Sequence, residues 1–190
     1  MSKPYTIGKF MDFFDDLKSE IVWERRDDAP RTESWMMLDG LRSYTYGRGR
    51  GERTYEAHPF TPLVLNIANA LGQMLHEPTP RGCFANLYLN SRDHLGWHAD
   101  ADPKIDHTRP IVSVSFGEER AIQFRPMPPV GVKRNAWADH GYVEKIEELV
   151  MKSGSVTVMP AGYQFTHQHQ IPKVDHNIGE RISLTYRWLL

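Results

Sequence analysis

The clearest periodicity in the chain lies in "TPLVLNIANALGQMLHEPTP", residues 61–80, where Val64, Ile67, Ala68, Leu71 and Leu75 fall on one stripe at helical spacing. Thr61 suits the N-cap, Pro62 suits the first helical position and Pro78 sets the outer limit, so a helix is predicted there. Earlier, "TIGKFMDFFDDLKSEIVW" places Phe10, Phe13, Phe14, Leu17 and Ile21 at the same spacing, with acids and lysines between, and predicts a first amphipathic helix. From residue 84 the texture changes. Short alternating or β-branched runs follow, "FANLYLN", "RPIVSVSFG", "AIQFRP", "EELVM", "SVTVMP" and "ISLTYRWLL", separated by Gly, Pro and Asp. Helices first and strands after predict an α+β fold, with two N-terminal helices buttressing an antiparallel β-sandwich or barrel. Residues 126–142, "PMPPVGVKRNAWADHGY", read as a long hairpin excursion.

Composition narrows this picture. The 190 residues suit a single domain, and 40% hydrophobic with 25% charged residues is ordinary for a chain that folds alone. Cys83 is the one cysteine, which excludes an intramolecular disulfide framework and favours a reducing compartment. No apolar run reaches the length of a signal peptide or a membrane span, so the expectation is a soluble, cytoplasmic monomer with no membrane partner. The net charge of −1 leaves no general polycation, and any nucleic-acid binding must come from a local patch.

The candidate chemistry starts at "GWHADAD", residues 96–102. On a strand, His98 and Asp100 point to one face with Ala99 turned away, and together they can share a cation; alone, the pair equally describes a polar turn. In "FTHQHQIP", His167 and His169 also share one face of an extended segment, and either supplies a third ligand. Two imidazoles with one carboxylate is the donor set of non-haem Fe(II) oxygenases, and the lack of thiolate ligands argues against structural zinc. In "RISLTYR", Arg181 and Arg187 are an even six positions apart and so share a face. Two arginines in a β core need anions, and a dicarboxylate fits. Asn86 and Tyr88 of "NLYLN" add amide and phenol donors from a separate strand.

Taken together, the asparagine-x-tyrosine strand, the histidine-x-aspartate, "IVSVSFG", "GSVTVMPAG", the histidine before "IP" and the closing "RISLTYR" resemble the AlkB-type Fe(II)/2-oxoglutarate dioxygenases over residues 82–187. The resemblance implies a double-stranded β-helix, or jelly-roll, core at 82–190. Residues 1–81 then form the N-terminal helices and a nucleotide-lid-like hairpin of one 1–190 dioxygenase domain. It assigns Fe(II) to His98, Asp100 and His169, since His169 stands in "HQIP" twelve residues before Arg181. It assigns 2-oxoglutarate to Asn86, Tyr88, Arg181 and Arg187, where bidentate pairing explains arginine over lysine. Asp102 matches an acidic position near the target base, a hydrogen-bond acceptor for an exocyclic amine, although a solvated turn acid reads the same. Asp102 and Arg187 are the candidate catalytic side chains.

The stretch "LRSYTYGRGRGERTY" interleaves Arg42, Arg48, Arg50 and Arg53 with Tyr44, Tyr46 and Tyr55, offering phosphate contacts and stacking faces where a solvated hairpin is the bland alternative. In the family this region covers the base. That makes Tyr44, Tyr46, Arg42 and Arg48, with Asp102, the substrate-binding candidates, while Trp35, Met36 and Met37 suit either an apolar wall or the core. The implied activity is oxidative demethylation of N-alkylated bases in DNA or RNA, with O2 as co-substrate and formaldehyde, succinate and CO2 as products. A 2-oxoglutarate-dependent hydroxylase or demethylase of protein side chains or small molecules is the alternative, and a binding module that has lost its chemistry is a third.

Overall fold

The computed structural model describes residues 3–27, 29–46 and 52–190. In chain order the elements are β1 (Tyr5–Lys9), α1 (Phe14–Glu20), β2 (Glu24–Arg25), β3 (Thr32–Met37), β4 (Tyr44–Tyr46), β5 (Arg53–Tyr55), β6 (Ala57–Pro59) and α2 (Pro62–Leu75). They continue with β7 (Gly82–Tyr88), β8 (Leu95–His98), β9 (Ile111–Gly117), β10 (Arg120–Pro126), β11 (Glu147–Met151), β12 (Ser155–Met159), β13 (His167–Ile171) and β14 (Arg181–Arg187).

The helix over 62–75 forms as its sequence predicts. The Thr61 hydroxyl accepts from the Val64 N–H at 3.3 Å, and the chain leaves the helix at His76 in the left-handed region, at φ 56°. The first predicted helix is shorter. Residues 5–9 instead form a strand on β12, with Tyr5 opposite Val158 and Ile7 opposite Val156, because an open sheet edge offers backbone partners that helical spacing cannot reveal. Gly154, at φ +79°, lets the chain leave β1 there: a Cβ would meet the Phe10 carbonyl oxygen at 2.1 Å, and its own carbonyl accepts the Phe10 N–H at 2.8 Å.

The strands make two main layers. The larger runs β1-β12-β9-β14-β7-β3-β2, with β6 parallel on β3; the smaller runs β11-β10-β13-β8; β4 and β5 pair separately. Three strands of the large sheet thus come from before residue 38, so the order is not helices first and strands after. Period-two alternation separates two cores. Cys83, Ala85 and Leu87 of β7, with Ile182, Leu184 and Tyr186 of β14, pack against Leu17 of α1 and Val64, Ile67 and Leu71 of α2. Each aliphatic side chain so buried contributes roughly 1.5–3 kcal/mol, which holds the helices on the outer face. The other face of the same strands, with Tyr88, Ile111 and Met159, meets Ile122, Phe124 and Ile171 of the small sheet. Phe84, Asn86, Arg181 and Arg187 lie on that inner face, between the layers.

Strands β10 and β11 pair antiparallel, Arg120 opposite Met151, so the excursion between them is a hairpin connection. It carries two short 3-10 turns and is tied back by the Arg125–Glu144 and Arg134–Glu144 ion pairs at 2.7 and 2.6 Å. Among the described residues no helix is long and apolar enough to cross a membrane.

Candidate active site

Strands β8 and β13 pair so that His98 stands opposite His169, which brings their ring centroids to 4.1 Å. Asp100 lies just past the end of β8, so alternation along the strand does not place it. Two contacts do: its N–H donates to Gln164 Oε1 at 3.0 Å, and its Oδ2 accepts from Arg187 Nη2 at 2.8 Å. The ligand atoms offered by His98, Asp100 and His169 all lie within 4.8 Å of one another. His98 Nδ1 lies 2.9 Å from the Gly96 carbonyl, which only accepts, so Nδ1 carries the proton and Nε2 keeps its lone pair. Asp100 Oδ1 and His169 Nδ1 are buried with no hydrogen-bond partner.

The electrostatics prepare these three groups as ligands. Burial, then the neighbouring His98, pulls His169 down to about 3, and burial likewise lowers His98, so both imidazoles are neutral at pH 7. Burial works against the Asp100 charge, but the Arg187 guanidinium outweighs it and holds the carboxyl well below its usual range.

The two arginines of β14 part company. Arg187 is committed to Asp100, with Nε unpartnered. Arg181 is fully buried and ion-pairs with no carboxylate among the described residues; Nη2 donates to Ser115 Oγ at 2.7 Å, while Nε and Nη1 have no partner. Burial lowers it to about 10, still charged at pH 7. Its guanidinium lies 5.1 Å from the Tyr88 ring centroid, and Arg120 stands 5.3 Å from the same centroid. Asn86 is opposite Ser183 across the β7–β14 ladder, between these arginines in register.

Sequence reasoning missed Arg31, Glu33 and Gln164. Arg31 lines the metal-side pocket with His98, Asp100, His169, Asn86, Tyr44 and Arg187. It donates from Nε to Asn86 Oδ1 at 2.5 Å and pairs with Glu33, which is fully buried. A charged residue on the inner face of a strand is a signal of function. That signal was invisible because β3 was not predicted.

Of the substrate candidates, Tyr44 is buried at the same pocket, stacked on Trp35 at 4.8 Å and edge-on to Phe84 at 5.9 Å; burial pushes its phenol up to about 12. Trp35 and Met37 join this aromatic cluster, whereas Met36 faces the helices. Tyr44 also lines a second, mostly apolar pocket with Trp35, Met37, Ile105 and Leu189, where exposed Arg42 stands with Lys104. Arg48 and Arg50 lie outside the described residues, as does the side chain of Tyr46. Asp102 is half-buried and its Oδ1 accepts from the Lys104 N–H at 2.8 Å, the turn role. His167 stays apart from the triad, stacked on Tyr163 at 4.2 Å.

Residues 18–187 match the family profile described as 2OG-Fe(II) oxygenase superfamily. The chain belongs to that superfamily. Its sequence similarity is to AlkB-type members: 30% identity over 183 residues to the alpha-ketoglutarate-dependent dioxygenase alkB homolog 3 of Bos taurus, covering 92% of this chain and 59% of that protein. The human alkB homolog 3 is 29% identical over 91% of this chain and 59% of its own length. The DNA oxidative demethylase ALKBH2 of Arabidopsis thaliana is 29% identical over 94% and 62% respectively. The chain thus spans about three-fifths of the length of these relatives. The solved structure of OsALKBH1 superposes with a TM-score of 0.59 at 17% identity, covering 98% of both chains, and shares the jelly-roll fold.

The superfamily implies Fe(II) and 2-oxoglutarate, and the residues fit both. Unpartnered buried Asp100 Oδ1 and His169 Nδ1 suit a cation, and the unpaired, buried Arg181 guanidinium suits a carboxylate.

Proposed function

We propose that the chain is a 2-oxoglutarate-dependent dioxygenase, acting as a monomer, that removes alkyl groups from the nitrogens of nucleobases in single-stranded or flipped-out DNA or RNA. The observation that carries this reading is a two-histidine, one-carboxylate cluster at the small sheet, with Asp100 and His169 buried, together with a buried arginine on the facing large sheet that has no acid partner among the described residues. Fe(II) held there, with 2-oxoglutarate and O2, supplies oxidation of an N-methyl carbon, with succinate, CO2 and formaldehyde leaving.

The chain's own residues do the rest. His98, Asp100 and His169 present one cation-binding atom each with no proton to displace. Arg187 fixes the Asp100 carboxylate and leaves Oδ1 to the metal. Arg181 takes the remote carboxylate of 2-oxoglutarate, assisted by Tyr88 and Asn86. Tyr44, backed by Trp35 and Phe84, offers an aromatic wall against which a flipped base packs, with Arg42, Tyr46 and Arg48 as the other substrate contacts. Asp102 is the acceptor for an exocyclic amine, its second oxygen still available beside the bond to Lys104.

Formaldehyde release over a panel of N-methylated single- and double-stranded DNA and RNA oligonucleotides tests the reading. Release that requires both Fe(II) and 2-oxoglutarate is expected. Succinate formation stimulated by no oligonucleotide in the panel would move the substrate to proteins or small molecules.

A further inference from the structure

Beside the proposed co-substrate pocket runs a buried polar chain that the iron chemistry does not require. Tyr55 of β5 donates its phenolic hydrogen to Glu33 of β3, and Glu33 pairs with Arg31. Arg31 in turn donates from Nε to Asn86 Oδ1 at 2.5 Å and from Nη1 to the His94 carbonyl at 3.4 Å. Tyr55, Glu33, Arg31 and Asn86 are all at most 4% exposed. Glu33 stands opposite Asn86 in the β3–β7 ladder, so the chain links adjacent strands as well as side chains. Tyr55 stands opposite Tyr44 in the β4–β5 ladder, and Tyr44 lines the metal-side pocket.

Burying a glutamate and an arginine together beside a sheet is costly where apolar packing would serve. Removing any member leaves a buried partner unsatisfied, so the links act together. Accepting from Arg31 with Oδ1 fixes the amide orientation of Asn86 and leaves its NH2 to donate elsewhere. Burial and the Glu33 carboxylate push the Tyr55 phenol far above its ordinary range, so it remains a donor.

We propose that Glu33 and Arg31 are positioning residues that couple the β4–β5 pair to Asn86, so that how β5 is seated sets the affinity for the dicarboxylate co-substrate. The coupling is reciprocal: 2-oxoglutarate binding tightens the β4–β5 backbone. This inference rests on the reading of Asn86 and Arg181 as co-substrate ligands.

Tyr55→Phe is the informative variant, because it removes one hydroxyl and keeps the ring in its aromatic cluster with Phe84. Two readouts avoid turnover: 2-oxoglutarate binding by calorimetry on the protein loaded with Mn(II), and hydrogen exchange of the Thr45, Thr54 and Tyr55 amides with and without 2-oxoglutarate. The expected result is a Kd for 2-oxoglutarate raised about 5-fold or more with Mn(II) affinity unchanged, and exchange slowed by 2-oxoglutarate in the wild type but not in Tyr55→Phe. Glu33→Gln is expected to act in the same direction. Tyr186→Phe, which removes a buried hydroxyl bonded to the Val64 carbonyl in the helix-facing core, controls for lost stability and should leave the Kd unmoved. Wild-type binding with an unchanged Kd in Tyr55→Phe, or an equal rise in Tyr186→Phe, overturns the coupling and leaves the functional reading standing. A wild type that binds Mn(II) but no 2-oxoglutarate overturns both.

Discussion

Arg187 Nη2 donates to Asp100 Oδ2 at 2.8 Å across 87 positions of sequence, between the last strand and the residue just past β8. The guanidinium therefore aims a carboxylate that no strand holds. Arg187→Lys keeps the positive charge and loses the planar fork. Metal affinity is expected to fall about 10- to 100-fold, as for other partners of metal ligands, measured by Mn(II) titration. Unchanged affinity would mean that the Gln164 contact alone positions Asp100.

Arg181 should act on the co-substrate and not on the metal. Arg181→Gln removes a charge-assisted pair worth about 1.5–3 kcal/mol, so the KM for 2-oxoglutarate should rise by roughly 10- to 150-fold. Mn(II) affinity should stay within about twofold of wild type, because no triad residue is in contact with Arg181. A variant that loses both together would assign Arg181 to the integrity of the core.

Acid should destabilise the chelator-treated protein through His169. Its folded value of about 3 lies below the ordinary 6.5, so the unfolded chain takes up the proton first. The stabilising contribution is complete above pH 6.5 and is lost as pH falls toward 3, at up to about 1.4 kcal/mol per pH unit. Thermal melts between pH 4 and pH 8 check this, and His169→Gln should flatten the slope. Equal slopes in the two proteins would contradict the buried, neutral imidazole.

Arg42 is an exposed cation lining the pocket beside Tyr44. Arg42→Gln should reduce the dependence of log K on log salt by about 0.7 for a single-stranded oligonucleotide, the loss of one contact. The KM for 2-oxoglutarate should not change. An unaltered salt slope would remove Arg42 from the substrate surface.

What the sequence carried depended on how local the cause was. Thr61, Pro62 and the Val64–Leu75 stripe sit within one segment, so the helix, its cap and its buried face were legible together. His98 and a histidine of "HQHQ" were legible as candidates because strand alternation is also local, but alternation left His167 and His169 open; the resemblance pointed to His169, and the β8–β13 register sets His169 opposite His98. Strand β1 and the Arg31–Glu33 pair at the centre of the Tyr55–Asn86 chain were not legible. Their partners lie on other strands, and a buried Glu33 reads as a surface acid until β3 is known to be interior. For the same reason Asp100 was rightly paired with His98, but for a reason of strand geometry that does not hold: Gln164 and Arg187 place it.

The proposed activity requires that His98, Asp100 and His169 hold the iron that oxidises an N-alkyl carbon. It is tested most directly by measuring formaldehyde and succinate together from one N-methylated single-stranded oligonucleotide, with wild type and His98→Ala prepared alike. Near-equal amounts of the two products are expected from the wild type, and neither above background from the variant. Formaldehyde release that persists unchanged in His98→Ala would contradict it.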